Sequence, residues 1–312
     1  MAIKIFLLME TIVSINSYIL FWICIVGLCL GSFFNVVILR SLTNESIVYP
    51  PSKCPKCNHK LYWWHNIPVL SYLLLRGKCY FCKEKISIQY PIIELVTMIL
   101  FAITYLRFGI SINTLFALII ISCFIVMTTT DIKEKLVDCN IAIGLGITGI
   151  IYGFLSNGLN GIISSVLGLI AGVIILETIA RTGYLFTKSR AVGEADTYIA
   201  GAIGACFGIN AIVPILFYSL IASMIFIVPV FLYNKFKSND KFTCIMAVVF
   251  ALAIVIFYKT TQNYLTLGLL AFSGTLLAYS IIKGIDNQQD KNIMPFVPAL
   301  AAGVLYYIIF VF

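Results

Sequence analysis

Charge is scarce in this chain. Of 312 residues only 11% are Asp, Glu, Lys or Arg, while 61% are hydrophobic and the mean hydropathy is +1.03. A soluble domain carries about 25% charged residues, so a water-soluble fold is excluded and most of the length belongs in a bilayer. Other absences narrow the class further. The first 17 residues do not make a signal peptide: Glu10 interrupts the short apolar stretch after Lys4, and no small-x-small cleavage site follows. The first long apolar segment is therefore expected to be a retained anchor. There is no Gly-rich dinucleotide motif, since Gly31-Ser-Phe-Phe-Asn35 is not one. The two halves show no similarity of the kind that marks many transporters. The net charge of +8 does not call for nucleic acid, because in a membrane protein it can follow the positive-inside rule.

What is present is a series of apolar runs. Ten candidate spans lie at roughly 18–39, 91–109, 112–130, 139–155, 161–180, 196–209, 212–232, 243–258, 263–282 and 295–312. The sixth is short for a bilayer that needs about 20 apolar residues. With the N-terminus outside, the inside loops 40–90, 131–138, 181–195, 233–242 and 283–294 hold 8, 2, 3, 3 and 2 Lys/Arg, which is 18 of the 21. Only Lys4, Arg107 and Lys259 fall elsewhere. This asymmetry sets the orientation and supports the span count.

Of the ten cysteines, Cys24, Cys29, Cys123, Cys139, Cys206 and Cys244 lie within or beside spans, where they serve as small apolar fillers. The other four sit in the only long polar segment, 40–90. Cys54-Pro-Lys-Cys57 and Cys79-Tyr-Phe-Cys82 are separated by 21 residues. Two C-x2-C knuckles at this distance match a structural zinc ribbon, in which each knuckle offers two thiolates to one metal. Lys53, Lys56, Lys78 and Lys83 flank the sulfurs and favour the thiolate form. A reducing compartment, implied by the charge asymmetry, disfavours disulfides. Redox pairs or unliganded thiols stay open as the bland reading. His59 and His65 are alternative ligands, with ordinary surface polar roles expected instead. A loop of about 50 residues whose one clear apolar stretch is Ile67–Leu75 can hardly bury a core alone, so metal would supply much of its folding energy. Four thiolates leave no open position for water, which makes such a metal structural.

Two aspartates fall where apolar segments meet water. Asp131 follows Leu115–Met127, and Asp196 follows the run 162–179 at a short distance. An ionisable residue at such a place is costly and is a functional-site candidate. Two carboxylates sharing one proton can activate water and protonate a leaving amine, the chemistry of an aspartic peptidase. Capping or snorkelling at a helix end is the bland alternative, and the residues alone leave both open. Other acids fit structural roles: Asp138 as a cap of the fourth span with Asn140 beside it, Glu94 as a cap of the second, Glu177 as a partner of Arg181 one turn on. Glu194 lies close enough in sequence to raise the pKa of Asp196 by like-charge repulsion. Gly193 and the segment 181–192 before it read as a flexible loop.

These residues together resemble the type IV prepilin peptidase family. The resemblance rests on Gly31-Ser-Phe-Phe-Asn-Val-Val-Ile-Leu-Arg40, on the tetracysteine loop with Asn66-Ile-Pro-Val-Leu-Ser-Tyr72 and Arg76-Gly-Lys-Cys79, and on Gln89-Tyr-Pro-Ile-Ile-Glu94. It continues through Asp131 with Asp138 seven residues later, Gly193-Glu-Ala-Asp196 followed by Ala200-Gly-Ala-Ile-Gly204, and Pro295-Phe-Val-Pro298. The six motifs run in the family's order over most of 27–232 and 295–303. Three features depart from the family pattern. Ala195 stands where a glycine is usual, which would matter if that position needed a positive φ. Tyr198 replaces a common lysine. A hydrophobic hairpin at about 243–282 adds two spans to the usual eight.

The resemblance implies that Asp131 and Asp196 are the catalytic pair of a membrane aspartic endopeptidase. Its substrate would be a type IV prepilin or pseudopilin, cut after a glycine between a basic leader and a hydrophobic helix, at the cytoplasmic face. It also implies N-methylation of the new N-terminus with S-adenosylmethionine; no residues are assigned to that methyl donor. The metal ligands are Cys54, Cys57, Cys79 and Cys82, holding structural zinc. The expected fold is an all-α polytopic membrane bundle of about 8–10 transmembrane helices with a small cytoplasmic zinc-ribbon-like loop. Residues 1–90 form the first helix plus the methyltransferase-associated tetracysteine domain, and 91–312 the peptidase domain. The expected location is a bacterial inner (cytoplasmic) membrane, with multiple passes. Membrane lipid is an expected partner, nucleic acid is not, and a homo-oligomer stays open. The rival readings are a peptidase without methylation, an ion-coupled transporter, or a scaffold of a secretion machine.

Overall fold

A computed structural model describes residues 2–43, 45–49, 51–187, 193–237, 245, 249 and 296–312. Among these the chain is helical, with two isolated β-bridges, Lys53 to Lys60 and Lys78 to Lys85, and no strand. The helices are α1 (Ala2–Thr43), α2 (Leu70–Leu74), α3 (Gln89–Phe108), α4 (Ile112–Glu134), α5 (Cys139–Thr187), α6 (Glu194–Phe207), α7 (Ile209–Lys237) and α8 (Val297–Phe310), with a 3-10 turn at Trp63–Asn66. By length and composition Asn16–Thr43, Gln89–Phe108, Ile112–Glu134 and Cys139–Thr182 are apolar enough to cross a membrane. The apolar helices Ile209–Ser223 and Val297–Phe310 are shorter. The extra hairpin expected at 243–282 lies outside the described residues, apart from the helical residues 245 and 249.

The helical segment α5 is two arms. Asn157 (φ −134°) and Gly158 (φ 60°) leave helical geometry between them, at the gap expected between spans 139–155 and 161–180. Glycine is favoured at Gly158 because a side chain is strained at that φ. The second arm then doubles back on the first, with Gly161 against Gly153. It reaches Thr187, well beyond the expected end at 180, so only 188–192 of the anticipated loop remain, outside the described residues.

Small residues set the helix contacts. Gly27 and Gly31 of α1 lie on the backbone of Met98 and Glu94 in α3, and Gly168 and Gly172 of α5 on Gly204 and Ala200 of α6. In a membrane, association relies on close backbone approach because lipid is as apolar as leucine. A side chain at Gly204 would have to displace the Gly168 carbonyl. Gly204→Leu should therefore cost about 1–3 kcal/mol or more, read as a lowered unfolding midpoint in detergent. One buried cluster joins α4 to α8 through Phe124, Met127, Ile199, Ile203, Ile212 and Leu300, and a second joins α1, α3 and α4 through Phe34, Ile38, Ile93 and Val126. Helix α4 belongs to both, so it joins the N-terminal pair α1–α3 to the α5–α8 group.

Candidate functional site

The C-terminal turn of α4 carries Asp131, 7% exposed, and the N-terminal turn of α6 carries Asp196, 8% exposed. The two carboxylates lie close enough for the charge of Asp131 to act on Asp196. Each is held by a backbone N–H. Asp131 Oδ2 accepts from Val297 N at 3.0 Å, at the start of α8. Asp196 Oδ2 accepts from Gly193 N at 3.1 Å, so it closes the N-terminus of its own helix. The capping role considered from sequence is therefore real for Asp196, and it fixes the side chain's orientation. Among the described residues neither Oδ1 has a recorded hydrogen-bond partner, which leaves one oxygen of each acid for a reacting species.

Two contributors were not legible beforehand. The Val297 N–H comes from 166 residues away in the chain, and the only sequence signal for it is the Pro295-Phe-Val-Pro298 motif. Pro298 lies in the first turn of α8, and Val297 retains an N–H that proline lacks. Lys135 ends α4 in a left-handed conformation (φ 55°), and its charge reaches Asp131. It supplies a cation near the site that Tyr198, 54% exposed, does not. Ala195 lies inside α6 in helical conformation, away from the positive-φ positions. The alanine meets no backbone strain there.

The other acids separate cleanly. Asp138 Oδ1 accepts from Asn140 N at 2.9 Å and caps α5 as expected. Glu177 pairs with Arg181 at 3.0 Å. Glu194 is exposed at the first position of α6. Glu94 differs from expectation. It is the sixth residue of α3, not a cap, and its buried carboxylate accepts from Val69 N at 2.7 Å and from the Ser32 hydroxyl. Val69 is held at φ 60°, ψ −48°, a costly conformation for a β-branched residue, so Glu94 fastens a strained loop residue to two helices. Glu94→Ala should strand that N–H at a cost of about 1–3 kcal/mol, with faster proteolysis of the loop. Glu94→Gln, which keeps a carbonyl acceptor, should restore most of the resistance.

The four cysteines converge. The sulfurs of Cys54, Cys57, Cys79 and Cys82 all lie within 4.8 Å of one another and could hold a metal ion. The two knuckles are built alike. Cys54 N donates to His59 O and Asn58 N to Cys54 O; Cys79 N donates to Glu84 O and Lys83 N to Cys79 O. Asn58 (φ 56°) and Lys83 (φ 59°) take the same left-handed turn just after the second cysteine of each pair. The backbone N–H of Cys82 brings the Cys79 thiol down to about 7, against the opposing effect of burial. Cys82 goes the other way: the Glu84 N–H lowers its thiol, but burial and the neighbouring thiols of Cys79, Cys57 and Cys54 push it up to about 11.

The histidines stay outside the sulfur cluster. His59 stacks on Phe81 with centroids 4.4 Å apart. His65 is buried rather than a surface residue. Its Nδ1 accepts from Tyr62 N at 3.2 Å, Trp64, Tyr80 and Phe81 surround its ring, and burial lowers its pKa. The aromatic residues that close this small core carry no core signal in the sequence, because their spacing follows no helix or strand period.

The bacterial peptidase A24 N-terminal domain matches residues 25–108, and the type IV leader peptidase family matches residues 118–228. Curated relatives bearing the name prepilin leader peptidase/N-methyltransferase include one from Myxococcus xanthus, 32% identical over 62% of this chain and 58% of that protein. Another, from Neisseria gonorrhoeae, is 34% identical over 64% of this chain and 78% of its own length, and one from Bacillus subtilis is 34% identical over 65% and 79%. The chain thus spans under two thirds of the first of these relatives and over three quarters of the other two. No solved structure matches it. The two family matches together take in Asp131, Asp196 and all four clustered cysteines, and on these grounds the chain belongs to the type IV leader peptidase family.

Proposed function

We propose that this chain removes the leader of type IV prepilins or pseudopilins and methylates the exposed N-terminus, with Asp131 and Asp196 as the peptidase pair. The observation that carries the reading is the convergence of two buried carboxylates from different helices, each with one oxygen tied to backbone and one without a recorded partner. One carboxylate takes a proton from water as its oxygen attacks the scissile carbonyl, and the other gives a proton to the departing amine nitrogen. Burial in a bundle limits competing solvent, and the Val297 and Gly193 N–H groups keep the acids oriented between turnovers. The substrate's own helix is membrane-inserted, which suits a site at the end of transmembrane helices.

The sulfur cluster suits zinc. A tetrahedral Zn–S distance of about 2.3 Å places sulfurs about 3.8 Å apart, and Cys54 Sγ lies 3.9 Å from Cys82 Sγ. Cys54, Cys57, Cys79 and Cys82 would hold the ion, which supplies folding energy to the loop rather than catalysis. Residues 1–90 then serve methyl transfer and 91–312 proteolysis. S-adenosylmethionine would supply the methyl group for the free α-amine. The Lys/Arg distribution supports a cytoplasmic placement for both the loop and the acids in a bacterial inner membrane.

Purified chain in vesicles, supplied with a prepilin and S-adenosylmethionine, should yield a pilin whose N-terminal mass shows leader loss plus one methyl group. Leader loss without the methyl mass would leave a peptidase alone, and an unchanged prepilin would reject the reading.

A further inference from the structure

The five-residue helix α2 exposes its leucines: Leu70, Leu73 and Leu74 are 57%, 63% and 75% exposed. Their depth is set by the Glu94 bond. Helix α3 has 20 residues, about 30 Å at 1.5 Å per residue, which matches the thickness of a bilayer core. Glu94 lies five residues in from Gln89, about 7.5 Å along the axis, and its side chain leans back toward the helix N-terminus. Val69, bonded to it and immediately preceding α2, is thus at the level of the first turns of α3. The exposed leucines begin at the bilayer boundary rather than in the cytosol.

Cations follow directly. Arg76 (φ 52°) and Gly77 (φ 65°) reverse the chain after α2, and Leu74, Leu75, Arg76, Lys78, Tyr80 and Lys83 line an open groove of about 360 Å³ that also touches Cys79. Lys83 Nζ stands 5.2 Å from the Tyr80 ring centroid. Between residues 41 and 88 the loop carries seven Lys/Arg against two Glu. An apolar wall leading to three exposed cations complements an acyl chain leading to an anionic headgroup. It opposes a cationic ligand such as a sulfonium.

We propose that α2 and this groove form a docking surface for anionic phospholipid of the membrane that holds the chain. The leucines enter the acyl boundary, and Arg76, Lys78 and Lys83 hold the phosphate. The cysteine cluster is thereby anchored against the membrane surface at a second place besides its covalent links to α1 and α3. The placement does not depend on the enzymatic reading.

The test uses the full chain in vesicles of mixed phosphatidylcholine and phosphatidylglycerol, with a photo-crosslinking p-benzoylphenylalanine at position 73. The same group at position 106, where Leu106 is 68% exposed on α3, reports ordinary lipid contact. Lipid adducts are expected at both positions. At 73 the ratio of phosphatidylglycerol to phosphatidylcholine adducts should exceed the ratio in the vesicle roughly fivefold or more, the effect of one cation near an anionic surface. The triple variant Arg76→Gln, Lys78→Gln, Lys83→Gln should bring that ratio down to the vesicle composition. Adducts at 106 without adducts at 73 would overturn the docking surface, and adducts at 73 in the proportions of the vesicle would overturn the headgroup assignment.

Discussion

Asp131→Asn and Asp196→Asn should each abolish leader removal, lowering the rate by roughly a thousandfold or more, as removal of one member of a catalytic unit does. The amide is nearly isosteric and retains a carbonyl oxygen that can accept from Val297 N or Gly193 N. The junction of α4 with α8 and the cap of α6 should survive, and the protein should still insert and assemble. The same substitution discriminates against a purely structural role. Asparagine caps a helix about as well as aspartate, so two capping acids would be replaced without loss of cleavage. A transporter would lose ion-coupled uptake and leave prepilin mass unchanged in the wild type as well. The readout is prepilin mass in cells expressing each variant, beside membrane abundance of the chain.

Removing one sulfur should have the second largest effect, confined to the loop. Zinc content should be one ion per chain in the wild type and nearly none in Cys79→Ser, and the substitution should make residues 45–88 sensitive to protease, because the core of the segment among the described residues is a small aromatic cluster around His65. Zinc contributes on the order of 10 kcal/mol to comparable small sites, far more than those ring contacts. The apolar cluster that joins α4, α6 and α8 contains none of the four sulfurs, so the bundle's unfolding midpoint should hold. Chelation of the wild type should reproduce the loop's protease sensitivity, and zinc should reverse it. Retained zinc in Cys79→Ser would point to a different ligand set, with the nearby His59 or His65 as the first alternatives to examine.

Local chemistry was readable in advance where the governing interaction is short in sequence. Asp138 with Asn140, Glu177 with Arg181, and the C-x2-C pairs all act over two to four residues, so spacing alone exposes them. The helices were readable from long apolar runs, and the break at Asn157–Gly158 from the weaker apolar character between two of them. Distant partners were not. Val297 reaches Asp131 only because α8 packs on α4, and Glu94 reaches Val69 only because the loop folds back onto α3. Nothing in periodicity encodes either meeting. Glu94 resembled a cap by its nearness to the start of a span, but α3 begins at Gln89, which places the acid one and a half turns inside. His65 resembled a surface residue because histidine usually is one; its burial follows from four aromatic neighbours whose spacing fits no regular element. The concern over Ala195 dissolved for a simpler reason: the position is helical, where alanine is the most favourable residue.

The most direct measurement is single-turnover cleavage of one purified prepilin by the wild type, Asp131→Asn, Asp196→Asn and the double variant in the same vesicles. A shared dyad predicts that both single variants fall to a common floor and that the double variant falls no further. Cleavage within about tenfold of wild type by either single variant would contradict it, because general acid–base catalysis of this kind contributes about 10²–10⁴-fold.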